Sequence, residues 1–155
     1  MTETALLTEQ LRSLIDGENN QITILANACA LLNDTLADIN WAGFYIYNEG
    51  TNELDLGPFQ GKVACMHIKP GRGVCGTAFA TQQTQRVADV HQFPGHIACD
   101  SASHSELVIP LGRFGVLDID SPKHDRFSAI EQSRLEEFAS ALCDHLDAAP
   151  SYPVQ

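Results

Sequence analysis

WAGFYIYNEGTNELDLG, residues 41–57, changes character twice within a short span. Trp41 to Tyr47 is rich in aromatic and β-branched residues, NEGTN supplies turn chemistry, and ELDLG returns to apolar alternation. Two strand-like runs around a Gly/Asn turn predict a β-hairpin, because neither run has the 3.6-residue spacing of a helix face. Upstream the period is different. Ile22, Leu25, Ala26, Cys29, Leu32 and Leu36 recur at helical spacing, and a shorter helix is expected over Leu6 to Ile15, stopped near Gly17.

Downstream of the hairpin, VACMHI, QRVADV, SELVIPL and FGVLDID are further strand candidates, separated by loops of Gly, Pro and His. GRGVCGTAFATQ predicts a glycine turn entering a short helix. Near the end, Ser128 and Glu131 stand at capping-box spacing before a stripe of Leu135, Phe138, Ala139, Leu142 and Leu146, which predicts a C-terminal helix covering the sheet. Helices at both ends of a run of hairpin-linked strands give an α+β fold with a central, mainly antiparallel sheet. One domain is expected over residues 1–148, with 149–155 as a loose tail carrying two prolines.

Charge and composition exclude several partners. Nine Lys and Arg against 20 Asp and Glu leave a formal charge of −11, which repels polyanions, so no nucleic acid is expected. No apolar run reaches the ~20 residues a bilayer needs, and MTETALLTEQ lacks the basic and apolar regions of a secretory signal, so no membrane and a cytoplasmic location are expected. A homodimer is compatible with the sequence.

The five cysteines stand at 29, 65, 75, 99 and 143, an odd number without a C-x-x-C pair, which argues against a secreted disulfide framework or a zinc ribbon. Cys29 and Cys143 fall in helical apolar patterns and read as small buried hydrophobes. The other three do not. Cys65 is in a strand candidate; Cys75 is at a helix start, where unpaired N–H groups would acidify a thiol. Cys99 lies in HIACDSASHSEL, residues 96–107, where Asp100 and Glu106 oppose a thiolate and His96 or His104 favours one. A metal site on His91, His96, Cys99 and His104 matches no short zinc motif, and a Cys–His hydrolase lacks a recognisable oxyanion turn. In LDID, residues 117–120, Asp118 and Asp120 share one face of a strand; taken alone they read as solvated, or as a pair awaiting a cation. Trp41, taken alone, reads as core.

WAGFY, GPFQGKVACMHI, GRGVCGTA, HIACDSAS and GVLDIDSP, in that order, resemble the free methionine-R-sulfoxide reductases, enzymes built on a single GAF domain. The resemblance runs from the second helix to the C-terminal helix and implies a central antiparallel sheet flanked by helices. It implies Cys99 as the catalytic cysteine, Cys65 as the principal resolving cysteine and Cys75 as a third thiol of the relay. It also implies Trp41 and Tyr45 as aromatic walls for the sulfoxide methyl, and Glu106, Asp118 and Asp120 as pocket carboxylates that bind the substrate ammonium and support protonation of the sulfoxide oxygen. The implied reaction converts free methionine sulfoxide to methionine through a sulfenic acid and a disulfide reset by thioredoxin, with no cofactor and no metal. The link between Pro110 and GVLDID, LGRF, is shorter than that family generally has and predicts a tightened turn. A GAF sensor that binds without turnover and a thiol redox switch are the competing readings; sensors of this fold usually adjoin an output domain, and none is expected here.

Overall fold

The structure is a computed structural model that describes residues 4–96 and 102–148. The order is α1 (Leu7–Ile15), α2 (Gln21–Thr35), β1 (Trp41–Asn48), β2 (Glu53–Gly61), β3 (His67–Ile68), α3 (Gly73–Thr81), β4 (Gln85–Val87), a 3-10 turn (Val90–Gln92), β5 (Ser105–Pro110), β6 (Gly115–Ser121) and α4 (Ala129–Ala148). Six strands form one sheet in the order β3-β2-β1-β6-β5-β4, and every neighbouring pair is antiparallel. This is the α+β architecture expected from the sequence.

Strand alternation divides the sheet into two unlike faces. Ala42, Phe44, Leu107, Ile109, Leu117 and Ile119 point to one side and form a continuous apolar core with residues of α1, α2 and α4. On the other side, Trp41, Tyr45, Val108 and Val116 pack with Val74, Cys75 and Ala78 of α3. The first face is the structural core, and the second carries the polar groups.

Local chemistry sets the helix limits. The Asn20 side chain accepts a hydrogen bond from Thr23 N at 3.1 Å and starts α2. At the start of α4 the capping box is complete: Glu131 N donates to Ser128 Oγ at 3.1 Å, and Ser128 N donates to Glu131 Oε1 at 3.1 Å.

Two expected strands are shorter than their sequence patterns. Of VACMHI only His67 and Ile68 pair, so Cys65 lies in an irregular segment rather than a strand. The reason is where its backbone carbonyls go: Lys62 O accepts from Trp41 Nε1 at 3.1 Å, and Cys65 O accepts from the Tyr45 hydroxyl at 2.9 Å. Side chains have replaced the strand ladder. Of QRVADV only Gln85–Val87 pairs, because the Asp89 side chain accepts from His91 N at 3.0 Å and turns the chain into the 3-10 turn. The tail 149–155 lies outside the described residues.

Candidate active site

The polar face of the sheet is built by register. Trp41 of β1 is opposite Asp120 of β6, and Asp120 is opposite Glu106 of β5, so these three side chains stand in one row across three strands. In the next row Gly43, Asp118 and Val108 are aligned. The short link at 111–115 makes this register secure: Leu111 N donates to Gly115 O at 2.8 Å and Phe114 N to Leu111 O at 3.2 Å, closing the tight turn expected from LGRF.

A glycine keeps the aromatic wall in place. A Cβ on Gly43 would collide with the Phe59 side chain and come within 2.8 Å of the Trp41 ring. With hydrogen there instead, Trp41 stacks on Phe59 at 5.1 Å and on Tyr45 at 5.9 Å between ring centroids. Both Trp41 and Tyr45 are buried.

Helix α3 closes the site. Gly71 and Gly73 take positive φ values of +83° and +63°, conformations that favour glycine, and turn the chain into the helix. The turn places Cys75 over β5, with the thiol directed at Glu106 Oε2 at 3.9 Å. A cavity of about 50 Å³ lies between these elements, bounded by Trp41, Tyr45, Cys75, Glu106, Asp118 and Asp120. Its size suits a small molecule rather than a polymer.

Burial dominates the electrostatics. Desolvation, then the neighbouring Asp118, pushes Glu106 well above the ordinary carboxyl range; desolvation, then Asp120, does the same to Asp118. Cys75 is also pushed well up, by burial and then by Asp118 and Glu106. The acidified Cys75 expected from its helix start is therefore corrected. The dipole of a short helix is outweighed by full burial beside two carboxyl groups. Asp118 Oδ1 is buried without a hydrogen-bond partner, an acceptor facing a cavity already rich in acceptors. A donor-rich cation is the complement of such a site.

Cys75, Glu106 and Asp118 each place a ligand atom within 4.8 Å of the others, a donor set that could hold a metal ion. All three retain protons more strongly than usual, however, and a metal would have to displace those protons. Of the other histidine-based candidates, His91 and His104 have ring centroids 5.4 Å apart and His91 and His96 6.1 Å apart. Their proposed fellow ligand Cys99 lies outside the described residues.

The cysteines divide as their surroundings require. Cys29 is wholly buried, donates to Pro58 O at 3.1 Å and has its pKa pushed up to about 12 by burial; Cys143 is half-buried and is pushed up to about 11. Both are free thiols, as is Cys75. Cys65 is disulfide-bonded. The cavity lining also includes Arg72 and Ser103, which sequence reasoning did not assign to the site, and His96, which it named only as a neighbour of Cys99 and a candidate metal ligand. Arg72 could have been found: it sits inside GRG at the cap of α3, where a cation stands beside the helix mouth. No helix among the described residues is long and apolar enough to cross a membrane.

A two-faced sheet with a small walled cavity under a short helix defines a small-molecule domain. The family of GAF domains matches residues 20–147. Protein YtsP of Bacillus subtilis is 52% identical over 88% of this chain and 86% of its own length. The free methionine-R-sulfoxide reductase of Escherichia coli is 51% identical, over 88% and 84%. Among solved structures, the free methionine-R-sulfoxide reductase of Neisseria meningitidis in complex with its substrate has a TM-score of 0.91 at 38% identity, covering 96% of this chain and 93% of that one. The chain belongs to the GAF-domain family and, within it, to the free methionine-R-sulfoxide reductases.

Proposed function

We propose that this protein is an oxidoreductase that reduces free L-methionine-R-sulfoxide to L-methionine. The observation that carries this is the buried pair Glu106 and Asp118, with the half-buried Asp120 beside them, facing Trp41 and Tyr45, with the Asp118 Oδ1 acceptor unsatisfied. A free amino acid brings an ammonium for the acids and a small sulfoxide methyl for the aromatic wall. A peptide residue has its nitrogen in an amide and leaves the acids without a cation. Arg72, at the mouth of α3, is the partner for the substrate carboxylate.

In the proposed reaction the Cys99 sulfur attacks the sulfoxide sulfur while a carboxyl group protonates the oxygen. Glu106 suits that task because burial keeps it protonated at a pH where an exposed carboxyl would be ionised. The sulfoxide sulfur gains two electrons and leaves as methionine; Cys99 loses two and retains the oxygen as sulfenic acid. The Cys65 thiol then forms an S–S bond with Cys99, and its proton leaves with the sulfenic hydroxyl as water. A disulfide on Cys65, with Cys29, Cys75 and Cys143 free, supports that pairing. Thioredoxin returns both cysteines to thiols with two electrons from its own dithiol. The contact of the buried Cys75 thiol with Glu106 supports a role for it as the third thiol of the relay.

The test is incubation with each sulfoxide epimer, free and peptide-bound, with a thioredoxin system. Methionine release from the free R epimer is expected. Binding without release would make the domain a sensor. In single-turnover form, Cys99→Ser abolishes the reaction, whereas Cys65→Ser retains about one turnover and accumulates sulfenic acid. Equal loss from both would overturn the roles.

A further inference from the structure

The segment 62–72, KVACMHIKPGR, contains no acid and three of the chain's nine Lys and Arg, although acids outnumber cations 20 to nine overall. Of its large apolar side chains Ile68 is packed in the core, whereas Val63 is 88% and Met66 71% exposed, one on either side of the disulfide-bonded Cys65. Isolated exposed apolar residues are common, but this pair flanks a disulfide-bonded cysteine. The exposure is not that of a loose loop. Trp41 Nε1 and the Tyr45 hydroxyl hold the carbonyls of Lys62 and Cys65, and Leu56 N donates to Met66 O at 2.9 Å. The backbone is anchored while Val63 and Met66 remain outside, with exposed Lys62 and Lys69 at the rim.

We propose that Val63 and Met66, rimmed by Lys62 and Lys69, form the docking lip for a protein dithiol reductant that presents an apolar active-site face with an acidic border. This rests on the proposed resetting of Cys65 by a thioredoxin-type protein. An attacking partner thiolate forms a mixed disulfide with Cys65, and Cys99 leaves as thiolate and takes a proton. The partner's second thiol then attacks its own half of the mixed disulfide and releases Cys65, so two electrons pass from the partner dithiol to this chain. Such exchange needs the two sulfurs in line, which an apolar lip with an adaptable Met can enforce. The basic rim raises the encounter rate of an acidic partner in a salt-dependent way.

The experiment follows reduction of the oxidised full-length protein by alkylation and mass shift, in the absence of methionine sulfoxide. Reduced thioredoxin and dithiothreitol serve as separate reductants. For Val63→Ser/Met66→Ser the thioredoxin rate constant should fall about ten-fold, the loss typical of removing interface anchors. The dithiothreitol rate should stay within about two-fold, because a small reductant needs no docking surface. Lys62→Glu/Lys69→Glu should lower the thioredoxin rate and flatten its salt dependence. An unchanged thioredoxin rate in the apolar variant would overturn the proposal. So would an equal loss with dithiothreitol, which would mark a folding or access defect, or a change in sedimentation, which would mark a contact between copies of this chain. Because no sulfoxide is present, failure here is separate from failure of the reductase activity, which the epimer assay reads.

Discussion

Asp118 illustrates how a single residue can be poorly placed for stability and well placed for binding. It is buried beside two other acids, its carboxyl is pushed well above the ordinary range, and one oxygen has no donor. Replacing it with Asn removes the repulsion and supplies two N–H donors to the neighbouring carboxyls. The unliganded Asp118→Asn protein is therefore expected to melt no lower than wild type at pH 8, measured by differential scanning fluorimetry. The same change removes a charge from around the substrate ammonium. Breaking a buried ion pair costs roughly 3 kcal/mol, so affinity for free methionine sulfoxide should fall about 10²-fold by calorimetry. Lower stability together with unchanged affinity would place Asp118 in the scaffold rather than the site.

At the scale of elements, the site depends on how closely β1, β2 and β6 approach. Gly43 permits this, since a Cβ there meets Phe59 and the Trp41 ring. Gly43→Ala should cost about 1–3 kcal/mol in urea unfolding, as overpacking does, and should weaken discrimination between the R and S epimers by tilting Trp41. An unchanged unfolding midpoint would show that β2 can move aside freely. The capping box of α4 is independent of that wall, so Ser128→Ala should cost about 1 kcal/mol and leave epimer selectivity unchanged. These elements also show what was legible in the sequence. The 41–57 hairpin, the α4 cap and the glycine entry to α3 could be read because each is specified by neighbours a few residues apart. The loss of strand at 63–66 could not, because the Trp41 and Tyr45 side chains that capture its carbonyls are about twenty residues upstream in the chain. Asp118 and Asp120 were legible as sharing a face, and Glu106, Trp41 and Tyr45 entered through family resemblance. The contribution of Arg72, His96 and Ser103 to the cavity, and the fate of the Cys75 thiol, depend on which elements meet over the sheet. Local spacing contains no record of that meeting.

For the whole molecule, the apolar face carries the stability and the acidic face makes that stability depend on pH. In the unfolded chain Asp and Glu titrate near about 3.9 and 4.3. Folding raises Glu106 and Asp118 well above their ordinary values, so between the unfolded and folded pKa values the native state holds more protons than the unfolded state. Stability from these two groups is fully present below the unfolded values and is lost as pH rises through the folded ones. Asp38, held down by Lys123, and Asp89, held down by the His91 N–H, act in the opposite sense: their stabilisation is present above the unfolded pKa and lost as pH falls. Asp38 is exposed and Asp89 half-buried, both near enough to solvent to be screened, so the fully buried pair should dominate above mild acidity. The unliganded protein is expected to have its highest melting temperature at mildly acidic pH and to soften toward pH 8.5. An ammonium ligand reverses the slope, because it favours the ionised carboxyls. Its affinity should rise with pH, and its binding should release protons, detected as a dependence of the calorimetric enthalpy on the ionisation enthalpy of the buffer. Glycine betaine, whose nitrogen is cationic but donates no hydrogen bond, should release fewer protons than methionine sulfoxide. A melting temperature independent of pH, with no proton release on binding methionine sulfoxide, would mean that the three acids are already charge-compensated within the fold and that the cavity does not select an ammonium.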